Sequence, residues 1–107
     1  MSKIVNHNIF EIFNVNINSL AELCSRLGVK NLSVFGSILT PDFNIGQSDL
    51  DFLVEFENIS FEKYFVLLDG LKDIFKYNKI DLITVGALKN RIISAEIKSS
   101  KETLYAA

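Results

Sequence analysis

The chain has 107 residues, 49% of them apolar and 22% charged, a balance that supports one folded domain and excludes intrinsic disorder. A net charge of −2 without any Lys or Arg run excludes the electrostatic footprint of a direct nucleic-acid binder. Cys24 is the single cysteine, which excludes a disulfide framework, and no apolar stretch approaches the roughly 20 residues that span a bilayer. The first residues lack the charged-then-apolar pattern of a signal peptide, so a cytoplasmic protein with no membrane partner is expected.

In chain order, residues 1–17 carry apolar positions without a clean period and read as an N-terminal arm; residues 18–107 form the domain proper. In "NSLAELCSRLG", Ser19 and Glu22 suit a capping box, Leu20, Leu23, Cys24 and Leu27 make a helical stripe, and Gly28 can end the helix. "NLSVF" (31–35) reads as a strand running into Gly36-Ser37. Residues 38–48, with Pro41, Asn44 and Gly46, read as a loop with room for one helical turn. Residues 49–57 alternate as a second strand. "SFEKYFVLLDGLKDIF" (60–75) is amphipathic, capped by Ser60, with Phe61, Phe65, Leu68, Leu71 and Phe75 as its expected core stripe. "KIDLITV" (79–85) is a third strand, a last helix covers 87–98, and "TLYAA" is extended. The order predicts an α/β (α+β) domain in which helices cover a small mixed sheet.

Three acids interrupt apolar strand patterns: Asp49 and Asp51 in "SDLDFLVEF", and Asp81 in "KIDLITV". Asp49 and Asp51 project from the same side of their strand, and two like charges about 4 Å apart repel by about 4 kcal/mol at an effective dielectric near 20. Buried carboxylates without partners would protonate or destabilise the fold. Gathered on neighbouring strands, they are tolerable around a divalent cation. Mg²⁺ fits, because it takes one or two carboxylates and completes its octahedron with water and phosphate oxygens. His7 is the only histidine, which argues against histidine-ligated zinc. Gly36-Ser37 follows a strand directly, where a glycine lets the backbone approach a ligand and the next amides and hydroxyl can cradle phosphate.

Together, "LGVKNLSVFGSILTPDFNIGQSDLDFLVEF" and "KIDLIT" resemble the minimal nucleotidyltransferases (MNT domains) of the DNA polymerase beta-like superfamily, over residues 18–106. The resemblance implies a nucleotidyltransferase fold that uses ATP and, at a two-metal site, two Mg²⁺ ions. By position it implies that Gly36 and Ser37 hold the triphosphate and that Asp49 and Asp51 bind metal. Asp81 would help bind the metal facing the incoming hydroxyl. It also implies an antitoxin partnered with a HEPN-type ribonuclease toxin, silenced by transfer of AMP to one of its tyrosines. A departure stands at Thr40, where relatives usually carry Arg. Threonine cannot replace a bidentate guanidinium on phosphate, so the charge would come from Lys63, Lys72, Lys79 or the partner. The alternative is a non-catalytic antitoxin that neutralises its toxin by binding alone.

The remaining conspicuous residues have plainer readings. Cys24 belongs to the core and His7 to a solvated arm. Tyr64, Tyr77 and Tyr105 are packing or rim residues. The phenylalanines are mainly core, with Phe10 and Phe13 also considered as a partner-binding patch.

Overall fold

The computed structural model describes residues 8–87 and 91–107, with side chains throughout except those of 91–94. His7 and the start of the expected last helix beyond Ala87 lie outside the described residues. The elements in order are α1 (Asn8–Ile12), α2 (Ile17–Arg26), β1 (Val29–Phe35), a 3-10 turn (Gly36–Leu39) and β2 (Leu50–Phe56). There follow α3 (Phe61–Phe75), β3 (Ile80–Thr84), a second 3-10 turn (Val85–Ala87), α4 (Arg91–Ser100) and β4 (Glu102–Ala106). Among the described residues no helix is long and apolar enough to cross a membrane.

The sheet order is β3-β2-β1-β4. β1 runs antiparallel to β2 and β4, whereas β2 and β3 are parallel. Parallel neighbours need a crossover of a dozen or more residues, and α3 with its flanks supplies it. This is the mixed sheet with helices that the element order predicts.

Alternation along the strands sorts their residues between two faces. Leu32 and Val34 of β1, Phe52 and Val54 of β2, and Leu82 of β3 are buried in one cluster with Leu20, Leu23 and Cys24 of α2 and Leu67, Leu71 and Phe75 of α3. Burial holds the Cys24 thiol up at about 12, an inert core thiol. α2 and α3 touch closely because Gly70 stands where a Cβ would lie 2.5 Å from Leu23 Cδ2. A mid-helix glycine costs about 1 kcal/mol, and the packing it permits offsets that.

Three expectations change. α2 begins two residues ahead of Ser19: Asn16 is the cap, its Oδ1 accepting from the Ser19 N–H at 3.2 Å, so Ser19 is not the capping residue. α3 has the expected Ser60 cap, with Ser60 Oγ accepting from the Lys63 N–H, but buries Leu67, Leu71 and Phe75 while Phe61 and Phe65 are 86% and 56% exposed. Phe10 is buried in the core and Phe13 packs edge-on to Phe43, Phe75 and Tyr77, so neither is a free patch.

Candidate nucleotidyltransferase site

β2 and β3 start side by side, and their register pairs Asp51 directly with Asp81. Adjacent strands lie about 4.8 Å apart, and parallel register partners share a face, so the two side chains are immediate neighbours. Phe35, the last residue of β1, pairs with Asp51 on the other side. The 3-10 turn that follows therefore begins beside the acids.

Gly36 is where this closeness becomes obligatory. Its φ is +78°, and a Cβ there would sit 2.5 Å from Asp51 Oδ2. An L side chain is disfavoured twice: the backbone conformation strains it, and its Cβ would push the Asp51 carboxylate aside. Ser37 follows, half-buried, in the first turn of a helix whose leading amides have no intrahelical acceptors.

Asp49 lies just ahead of β2 and is exposed, as is Asp81; Asp51 is half-buried. The expectation of buried acids is corrected accordingly: they crowd the open end of the sheet, where water reaches two of them. Asp51 still carries the strain of the arrangement. Its carboxyl is pushed up to about 6, by burial first and then by the charges of Asp81 and Asp49. All three causes oppose ionisation, and a cation placed among the acids would relieve the two that come from neighbouring charge.

Among the described residues, no three His, Cys, Asp or Glu side chains close on a common point to enclose a metal unaided. An open set suits Mg²⁺, which prefers few carboxylates and finishes its shell with water and substrate phosphates. The oxygen-only donor chemistry fits that ion.

Thr40 ends the 3-10 turn. Its Oγ1 donates to the Ser37 carbonyl at 2.8 Å and accepts from the Asp42 N–H at 3.2 Å, so the hydroxyl is engaged within the loop. Of the lysines considered as substitutes for an arginine, Lys63 donates to the Asn58 carbonyl at the far end of β2. Lys79 is exposed two residues before Asp81, and its carbonyl accepts the Leu50 N–H at 2.7 Å, which places it at the acid end. Sequence reasoning missed Tyr77: its hydroxyl donates to the Ser48 carbonyl, adjoining Asp49, across 29 residues of chain. Neither periodicity nor spacing signals such a contact.

The sequence profile described as nucleotidyltransferase domain matches residues 17–104. A Methanocaldococcus jannaschii protein, provisionally named a protein adenylyltransferase, is 39% identical over 77 residues, 71% of this chain and 76% of that protein. Protein adenylyltransferase MntA of Thermococcus cleftensis is 31% identical over 77 residues, 72% of this chain and 77% of that protein. The chain belongs to the nucleotidyltransferase domain family. Solved structures agree on the fold. A chain from a toxin–antitoxin crystal structure with AMP-PNP superposes with a TM-score of 0.66 at 16% identity, covering 87% of this chain and 75% of that one. A chain from the complex of tri-AMPylated Shewanella oneidensis HEPN toxin with MNT antitoxin gives 0.60 at 14% identity, covering 89% and 73%.

Proposed function

We propose that this protein is a Mg²⁺-dependent protein adenylyltransferase and the antitoxin of a two-protein system. It transfers AMP from ATP to a tyrosine of a HEPN-type toxin in the cytoplasm. The observation that carries this reading is the Asp51–Asp81 register pair set against Gly36, whose missing Cβ leaves room for the Asp51 carboxylate. The relatives named protein adenylyltransferase supply the reaction class.

Gly36 lets the backbone close on the triphosphate, and the amides and hydroxyl at Gly36 and Ser37 bind its oxygens. Asp49 and Asp51 would hold one of two Mg²⁺ ions, and Asp51 with Asp81 the other. Bound Mg²⁺ supplies neutralisation of phosphate charge and acidifies the acceptor hydroxyl. The tyrosine oxygen forms a bond to the α-phosphorus as the bond to the bridging oxygen breaks. Pyrophosphate leaves with that electron pair, and the phenolic proton is lost to solvent. What this chain contributes is orientation and charge placement, the main needs of such a transfer.

The test is transfer from labelled ATP to the co-expressed partner. Label at the α-phosphate reaches the toxin with Mg²⁺ and not with EDTA, while label at the γ-phosphate stays off it. Labelling from the γ position makes the protein a kinase and overturns the proposal. Thr40, occupied in capping its own turn, favours a second reading in which the antitoxin neutralises by binding alone. A stable, neutralised complex that never takes α-label decides for that reading.

A further inference from the structure

Asp49 is the one acid of the three that lies outside the strands, yet its backbone is held on both sides. Ahead of it, Tyr77 Oη donates to the Ser48 carbonyl at 2.5 Å and accepts from the Gly46 N–H at 3.0 Å. Behind it, the Leu50 N–H donates to the Lys79 carbonyl at 2.7 Å. Both anchors come from residues 77–79, the short link between α3 and β3. That link leads directly to Asp81, so one piece of chain sets the first acid and delivers the third.

Within itself, the turn that ends at Asp49 is closed by bonds around Asn44. Ser48 Oγ accepts from the Asn44 N–H at 3.0 Å, and the Ser48 and Gln47 N–H groups donate to the Asn44 carbonyl at 2.9 and 3.0 Å. These bonds shape the turn without tying it to the rest of the fold. Tyr77 makes that tie. Its ring is buried, edge-on to Phe13 with centroids 5.3 Å apart and beside Phe43 at 6.2 Å. A buried tyrosine needs one partner for its hydroxyl. This one has two, both in the turn, so its oxygen acts as a pin with a fixed position in the core.

We propose that Tyr77 is the positioning residue for Asp49, pinning the 44–48 turn so that the Asp49 carboxylate is held ready beside Asp51 and Asp81. The inference rests on the site assigned under Proposed function. Tyr77 touches neither nucleotide nor metal in this account; it acts through Ser48.

Tyr77→Phe keeps the ring and deletes the pin. In the full chain without metal, hydrogen exchange at the Gly46 amide, which donates to the Tyr77 hydroxyl, speeds up about tenfold on loss of that bond, while the β1 amides keep their rates. With Mn²⁺ as the probe in the presence of AMP-PNP, the dissociation constant for Mn²⁺ rises by about the same factor, and saturating Mn²⁺ restores the wild-type number of sites. Cys24→Ala in α2 measures what general destabilisation does to both readouts. Phe43→Leu loosens the ring and keeps the hydroxyl; it gives the same ordering at smaller amplitude and serves if Tyr77→Phe does not fold. Asp49→Asn separates the two levels of the argument. If Asp49→Asn binds Mn²⁺ like the wild type, the assigned site is wrong. If Asp49→Asn weakens binding but Tyr77→Phe weakens it no more than Cys24→Ala, the site stands and Tyr77 is packing alone.

Discussion

The two ends of the β2–β3 pair are built on opposite terms. At the start, Asp51 and Asp81 face each other beside Gly36, and charge is concentrated where burial cannot stabilise it. At the far end, Ile59, Phe61 and Phe65 are 61%, 86% and 56% exposed around a groove of about 470 Å³ that Tyr64 and Thr84 also line. The first turn of α3 lies against the end of β3, with Tyr64 Oη donating to the Leu82 carbonyl at 2.6 Å, but it turns Phe61 and Phe65 outward. The apolar pattern predicts buried acids and buried phenylalanines; the fold exposes Asp49, Asp81, Phe61 and Phe65 and leaves Asp51 half-buried. The contrast sets crowded charge at one end of the strand pair against uncovered apolar surface at the other.

The largest break in that contrast comes from Asp51→Asn. Removing the carboxylate common to both proposed ion positions lowers the transfer rate by about 10³-fold or more, read as α-label incorporation into the toxin. The metal-free variant folds and melts no lower than the wild type, because its lost charge was opposed by burial, Asp81 and Asp49. A markedly lower melting temperature in the metal-free variant would show a structural carboxylate and sink the metal assignment.

Gly36→Ala is next. Its φ of +78° and its contact with Asp51 predict a loss of about 1–3 kcal/mol in chemical denaturation, with Mg²⁺-ATP no longer raising the melting temperature. Retained ligand stabilisation would remove the turn from the triphosphate site.

The pH dependence of the metal-free protein is a smaller effect with a defined sign. Asp51 has a folded-state pKa of about 6 against an ordinary 3.8, so its stabilising share is complete below the lower value. It is lost as pH rises through about 6. Asp51→Asn stays neutral throughout, so its stability relative to the wild type climbs between about pH 4 and 6 and then levels. A flat difference across that window would mean that neither burial nor the charges of Asp81 and Asp49 raise the Asp51 carboxyl.

At the far end, Phe61→Ser should change stability by no more than about 0.5 kcal/mol, since the ring is already in water. A loss of several times that would show that Phe61 is covered in solution and that the two ends are less different than drawn.

Much of this protein was legible in its residues alone. Period-2 and period-3.6 apolar patterns report local geometry, so β1, β2, β3 and α3 could be placed to within a residue or two, with Ser60 as a cap. The Gly36-Ser37 and Asp49-x-Asp51 spacings, with Asp81 in a third strand, carry the resemblance to nucleotidyltransferases, and the roles proposed for them follow from what phosphate and hard cations require. Non-local contacts decided the rest. Asp51 meets Asp81 only because β2 and β3 pair in that register, and a shift of one residue would turn Asp81 to the opposite face. Leu67, rather than Phe61, belongs to the core because an amphipathic pattern shows that a helix has apolar sides without showing which one meets the sheet. Tyr77 reaches Gly46 and Ser48 across 31 and 29 residues, and hydrogen bonds closed over such distances leave no periodic trace in the chain; they exist only once the core has folded around the ring.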